Sequence, residues 1–249
     1  MKNDIVCIYG KHPVEEALRY APHIIDRVFV DSDTNPEVYA LVEKKKVTRT
    51  QFSMKDLTRY IGKDAVHQRV AAFIQINKLV TPLEDFLSSL DLSKKPALVL
   101  LGELHDPHNV GAIIRSATAF GISGVLIPEH RQVPITGSVI KASAGMAFRI
   151  PLVEIGNVNR TLERLKTSGF WTYGLAGEAT KILDQEVFDE PSVFVIGNEG
   201  KGIREKTEEN CDVLLKVPIS ENVESLNASV SAAIVFYEWA KTNNKQNRP

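Results

Sequence analysis

Apolar and polar positions along the 249 residues alternate between two periods. Short β-branched runs read as strands, and between them lie segments whose apolar residues recur every three or four positions, the spacing of a buried helical stripe. In the first third, Val14–Tyr20, Pro36–Lys46 and Met54–Gly62 carry helical spacing, with Pro13 and Pro36 at helix starts where proline is tolerated. Ile24–Val30, Val47–Ser53 and Arg69–Asn77 read as strands. This alternation predicts a small three-layer α/β domain over residues 1–77. Residues 78–96 read as a linker helix, with Thr81 as N-cap, Pro82 in the first turn and Glu84 three residues after the cap.

From Ala97 the pattern changes character. Ala97–Leu104 is almost continuously apolar, as expected of a central parallel strand covered on both faces. Asp106–Gly121 reads as a turn entering a helix whose buried stripe is Ile113, Ile114, Ala117 and Phe120. Six residues separate Asn109 from Arg115, nearly two turns, which predicts that both address roughly the same side. Strands at Val125–Pro128, Pro151–Ile155, Phe170–Gly177 and Val193–Ile196 and helices at 157–169 and Leu226–Thr242 complete a mostly parallel α/β domain over 97–242, with a polar tail at 243–249.

Composition changes this picture little: 43% hydrophobic and 24% charged residues are ordinary for a globular chain. The two cysteines, Cys7 and Cys211, are too few for a disulfide framework and read as buried thiols of a protein kept in a reducing cytoplasm. No apolar run reaches the ~20 residues of a membrane span, and the N-terminus lacks the apolar core of a signal peptide. A net charge of −1 gives no global nucleic-acid signature. Residues 1–78 hold 13 Lys and Arg against 10 Asp and Glu, which permits RNA contact there. Lys44–Lys46 reads as a solvated helix end. His105 and His108 flank Asp106–Pro107 without a further ligand cluster, so no metal site is expected.

The chemistry concentrates near the C-terminus, where Val193–Ile203 runs into Gly197, Gly200 and Gly202, and Lys216–Trp239 into an asparagine-rich turn before a helix. Open α/β sheets bind ligands at such strand ends, and the glycines predict close approach of a ligand to the backbone. The spacing is neither a P-loop, whose first glycine would fall at Val195, nor a Rossmann fingerprint, because the order is G-x-x-G-x-G after a late strand.

Three stretches, LGELHDPHNVGAIIRSATAFG, FVIGNEGKGI and VPISENVESLNASVSAAI, resemble in order the three motifs of the SpoU family of RNA ribose 2′-O-methyltransferases in the SPOUT superfamily. Residues 1–77, opening on YGKHPVEEAL, are similar to the family's L30e-like RNA substrate-binding domain, and the two-domain layout most resembles the bacterial 23S rRNA guanosine-2′-O-methyltransferase branch. The resemblance implies a trefoil-knotted C-terminal α/β domain, S-adenosyl-L-methionine as methyl donor, 23S rRNA as partner, and a homodimer joined through the final helix and the motif 1 helix, with Ala232 and Ala233 at the interface. A tRNA ribose substrate and a non-catalytic assembly factor are the alternatives it leaves.

By the same resemblance, Gly177, Gly197, Val217, Ile219 and Leu226 hold the cofactor, and Asn109, Arg115, Glu199, Ser225 and Asn227 carry the chemistry. The task is to bring a ribose hydroxyl in line with a sulfonium methyl, so positioning and charge stabilisation are the expected main effects. A guanidinium stays protonated in proteins, which suits Arg115 to holding a phosphate and an emerging oxyanion rather than accepting a proton. Asn109 and Asn227 are expected to orient ribose or loops, Glu199 to balance Arg115, and Ser225 to fix the cofactor loop. Departures from the family pattern fall at Gly102, Thr118, Glu221 and Asn222.

Overall fold

A computed structural model of the chain describes residues 5–53, 57, 60–61, 65–198 and 200–243. The chain divides into two compact units, 1–80 with 135–149, and 81–134 with 150–249.

The first unit is built on strands β1 (Ile5–Tyr9), β2 (Ile25–Val30), β3 (Arg49–Thr50) and β4 (Val70–Gln75), in the sheet order β1-β4-β2-β3. β4 runs antiparallel to β1 and β2, and β3 adds parallel to β2. Helices α1 (Lys11–Tyr20) and α2 (Pro36–Lys45) bury Val14, Ala17, Leu18, Val38 and Val42. A second cluster joins Cys7, Phe29, Phe52, Leu57, Ile61 and Ala71. The expected strand at 47–53 is reduced to Arg49–Thr50, and most of the helix expected at Met54–Gly62 lies outside the described residues.

Residues 135–149 depart from the expected division, which gave all of 97–242 to the second domain. Their helix α5 (Gly137–Ala142) packs on β1, where a Cβ on Gly137 would overlap the Cys7 carbonyl oxygen. The Lys141 ammonium sits 4.5 Å from the Tyr9 ring centroid, and Arg149 ion-pairs with Glu16, Nη2 to Oε1 at 2.8 Å. These long-range contacts, not local periodicity, assign the segment to the first unit.

The second unit holds a sheet ordered β10-β12-β9-β11-β6-β7-β8-β5. Its members are β5 (Val80–Pro82), β6 (Ala97–Leu101), β7 (Gly124–Pro128), β8 (Leu152–Ile155), β9 (Trp171–Leu175), β10 (Lys181–Ile182), β11 (Ser192–Ile196) and β12 (Val213–Lys216). Pairings from β10 through to β8 are parallel. Every residue of β6, β7 and β11 is buried, as a sheet covered on both faces requires. Alternate side chains of β11 serve opposite layers: Val193 and Val195 join the core of Leu98, Leu100 and Leu126, while Phe194 meets Phe188 at 5.4 Å and Phe236 at 6.2 Å.

The expected linker is part of this unit. Thr81 lies in edge strand β5 rather than capping a helix, and α3 (Leu83–Ser89) starts from Pro82 without a side-chain cap. Phe86 of α3, 4% exposed, packs into the core directly over Gly124, which has no Cβ to collide with its ring. Helices α4 (Pro107–Phe120), α6 (Val158–Thr167), the single turn α7 (Glu205–Glu208) and α8 (Ala228–Asn243) cover the sheet. Asp106 caps α4 by accepting from the His108 N–H at 2.8 Å, and Gly121, with φ 79°, ends it in the left-handed conformation. Among the described residues no helix is long and apolar enough to cross a membrane.

Candidate active site

Strands β12, β9 and β11 are neighbours in the sheet, and the loops leaving their carboxyl ends enclose a cleft of about 200 Å³. Leu175, Ile196 and Leu215, at or next to the strand ends, make it apolar at the base. Gly177 lines it from the first loop, Gly197 from the second, and Val217, Ile219, Ser225 and Leu226 from the third. All five residues expected to hold the cofactor, with Ser225, therefore border one space.

The second loop is a tight hairpin. Asn198 and Gly202 exchange two backbone hydrogen bonds of 2.9 Å, and Gly202 turns with φ 67°. A Cβ on Gly197 would lie 2.7 Å from the Gly202 carbonyl oxygen and closer still to its carbon and to the Ile203 nitrogen. Gly197 thus serves the loop's own close packing and Gly202 its turn, while a Cβ on Gly200 or Gly202 would meet little or nothing, and all three glycines line the cleft. Asn198 Oδ1 accepts from the N–H groups of Gly200 (3.0 Å) and Lys201 (3.3 Å), and its Nδ2 donates to the Glu103 carbonyl at 2.8 Å. Glu199 lies outside the described residues.

Asn198 and Glu103 were not singled out in the sequence, yet they join the loops after β6 and β11. The Glu103 carboxylate pairs with Arg204 at 2.7 Å and more loosely with Arg131 at 3.9 Å. The asparagine within a glycine turn was the available signal. Gly102, a departure from the family pattern, donates its N–H to the Ile196 carbonyl at 2.7 Å, and a Cβ there would crowd that same oxygen.

Motifs 1 and 3 meet through side chains. Asn227 Nδ2 donates to Asn109 Oδ1 at 2.9 Å, and Asn227 Oδ1 accepts from the Ser229 N–H (2.9 Å) and hydroxyl (2.6 Å), capping α8. Asn109 is buried and Arg115 is exposed. The expectation that they address the same side is corrected: six residues at 3.6 per turn leave them about 120° apart. Arg115 is not among the cleft-lining residues, and among the described residues its guanidinium has no hydrogen bond or ion pair. Ala232 is fully buried within the chain and so unavailable to a partner; the exposed apolar side chains of α8 are Val230 and Tyr237, the latter packed edge-on against Phe120 of α4 at 6.1 Å.

Two cleft strands are pinned by one carboxylate. Burial pushes Asp212 up, but the Thr172 N–H (2.9 Å), the Thr172 hydroxyl (2.7 Å) and the Lys166 ammonium (3.0 Å) outweigh it and hold the group below the usual carboxylate range. Burial pushes the Cys7 and Cys211 thiols up to about 12.

The sequence profile of the SpoU rRNA Methylase family matches residues 96–237, and the profile for RNA 2′-O ribose methyltransferase substrate binding matches residues 7–79. The 23S rRNA (guanosine-2′-O-)-methyltransferase RlmB of Pseudomonas syringae pv. tomato is 35% identical over 97% of this chain and 98% of its own length. The enzyme of that name from Pseudomonas aeruginosa is 36% identical over 93% of this chain and 94% of its own. Among solved structures, the SpoU methyltransferase AviRb of Streptomyces viridochromogenes, in complex with the cofactor AdoMet, superposes with a TM-score of 0.82 at 20% identity, covering 97% of this chain and 91% of that one.

Proposed function

The chain belongs to the SpoU rRNA methylase family, and from that premise we propose that it methylates the ribose 2′-hydroxyl of a guanosine in 23S rRNA. S-adenosyl-L-methionine, held in the cleft, would supply the methyl group, with S-adenosylhomocysteine as the leaving group and the 2′-hydroxyl proton released to solvent. The observation that carries this reading is the cleft itself, where loops from three adjacent parallel strands bring Gly177, Gly197, Val217, Ile219 and Leu226 around an apolar base. Such a space suits a flat adenosine held by backbone groups.

The side chains divide the remaining work. Asn227 and Asn109 tie the third loop to helix α4, so ribose and cofactor loops are held in one frame. Ser225 fixes the loop that borders the cofactor. Arg115, charged and uncommitted, holds a neighbouring RNA phosphate and stabilises the 2′-oxyanion as it forms. Glu199 is assigned as its counter-charge. The substrate-binding unit selects the RNA and the second unit reacts with it. The family's trefoil knot belongs to this reading, as does a cytoplasmic, homodimeric state; exposed Val230 and Tyr237 on α8 support the symmetric contact.

The test is methyl transfer from labelled S-adenosylmethionine to 23S rRNA lacking the modification, with mass-spectrometric mapping of the product. A 2′-O-methylguanosine in 23S rRNA is expected. Exclusive labelling of tRNA, or no transfer by protein that binds both ligands, would refute the assignment.

A further inference from the structure

A second cavity in the same unit, about 530 Å³, opens over the carboxyl ends of β6, β7 and β8, where parallel sheets place ligands. It is large enough for a nucleoside. Its wall is shared with the cofactor cleft: Gly202 lines the cleft and Ile203 the cavity, one residue step of about 3.8 Å apart.

The lining is polar and of both signs. Arg204 and Glu103 form a fixed pair at 2.7 Å, while Arg131, 64% exposed at its side chain, touches Glu103 only at 3.9 Å. Glu129 is exposed and, among the described residues, its carboxylate has no protein partner. Glu103 and Arg131 also hold left-handed backbones, φ 62° and 58°, an uncommon conformation for such side chains that tends to collect at ligand sites.

We propose that this cavity receives the base of a guanosine in the RNA, with Glu129 and Arg131 reading its edge. The inference rests on the RNA-methylation reading above. Glu103 and Glu129 offset Arg131 and Arg204, so the space has no net positive charge to draw in a phosphate. The Glu129 carboxylate, unpartnered among the described residues and two residues from the loosely paired and exposed Arg131 guanidinium, instead matches an edge with donors and an acceptor side by side. Of the four RNA bases, guanine alone presents two adjoining N–H donors, N1 and N2, next to an acceptor, O6. Arginine is the usual donor to that oxygen, and unpaired RNA bases are read on such edges.

The test uses the full chain with S-adenosylhomocysteine and a short uridine oligomer carrying one guanosine or, instead, one inosine, which lacks the 2-amino group. Binding is read by fluorescence anisotropy. Wild type is expected to prefer guanosine by about tenfold, and Glu129→Gln and Arg131→Ala each to weaken that binding by about tenfold. Glu129→Gln should also erase the preference, the two losses failing to add because they remove one contact. Calorimetric affinity for S-adenosylhomocysteine should be unchanged, which a collapsed fold would not allow. Equal wild-type binding of both oligomers, or retained preference in Glu129→Gln, overturns the proposal. If Arg131→Ala lowers the salt slope by about one and leaves base preference intact, the cavity takes a phosphate and the guanine assignment fails. A protein that methylates rRNA but shows no such preference keeps the function and loses this site; one that discriminates without methylating does the reverse.

Discussion

Gly197→Ala is the substitution whose effect can be worked most directly from the geometry. The added methyl would collide with backbone rather than with a flexible side chain: 2.7 Å from the Gly202 oxygen and nearer to two other main-chain atoms. The far arm of the hairpin must move by roughly 1 Å to reach ordinary contact distances. Overpacking of this kind costs about 1–3 kcal/mol. The two Asn198–Gly202 hydrogen bonds, each 2.9 Å, are worth about 0.5–1.5 kcal/mol apiece and would be stretched by the same movement. The expected loss is therefore about 2–5 kcal/mol, which at about 2–4 °C per kcal/mol for a domain of this size lowers the melting temperature by roughly 4–20 °C. Because the displaced arm walls the cofactor cleft, affinity for S-adenosylmethionine should fall at least about tenfold, some 1.4 kcal/mol. Gly200→Ala is the control: its Cβ meets only Asn198 Oδ1 at 3.6 Å. That variant should be neutral or stabilising by up to about 1 kcal/mol, through the unfolded chain. Scanning calorimetry and titration of the cofactor decide the matter. Unchanged melting and unchanged affinity for Gly197→Ala would refute the reasoning.

Arg115→Ala is expected to lower methyl transfer at least about 100-fold with cofactor affinity unchanged, and Arg115→Lys to fail substantially because a point charge does not reproduce a fork; near-wild-type turnover of either, in a single-turnover assay, would contradict the role given to it. Asp212→Asn should cost about 1.5–3 kcal/mol by removing the charged acceptor of the Thr172 and Lys166 bonds. Its carboxyl is held low in the folded state, so its stabilisation is present above the unfolded value and disappears as pH falls through the folded one; denaturant titrations should show a flatter acid limb in the variant, and parallel limbs would contradict this. Cys7 and Cys211, pushed up to about 12 by burial, should resist a thiol reagent near pH 8 until the chain is unfolded. Since folding raises these values, stability is full below the unfolded thiol's pKa and declines as pH climbs from there toward about 12; rapid labelling of native protein would refute the burial argument.

Much of the second unit was legible because its strands are continuous apolar runs closed by strong punctuation. The strand Ala97–Leu101 falls within the apolar run expected over Ala97–Leu104, and the helix Pro107–Phe120 within the span expected over Asp106–Gly121, although Asp106 and not Asn109 caps it. Less was legible where the deciding contact is distant in the chain. β1 carries only five residues, IVCIY, without clear alternation, and becomes a strand by pairing with β4. Thr81–Pro82–Glu84 has the outward form of a helix cap, but sheet pairing claims Thr81 first. The small residues of 135–149 give no local indication of which core they enter; Gly137 against Cys7 and Arg149 against Glu16 decide it. At the cleft, Gly177, Gly197, Val217, Ile219, Ser225 and Leu226 were readable as a set, while Glu103 and Arg131 were not, since the cavity they line forms only when three strand ends align.

The excursion of residues 135–149 into the first unit also sets an order for biosynthesis. A ribosome releases the first 80 residues long before Gly137 and Arg149 exist, so the nascent N-terminal sheet waits with the β1 surface and Glu16 uncovered. The usual sequence, in which an N-terminal domain closes before its successor begins, is interrupted: β5, β6, α4 and β7 of the second unit emerge before the first can be completed. Maturation of the two units is thereby entangled in time, and a translation pause placed between residues 80 and 135 would hold the first unit without the segment that covers β1.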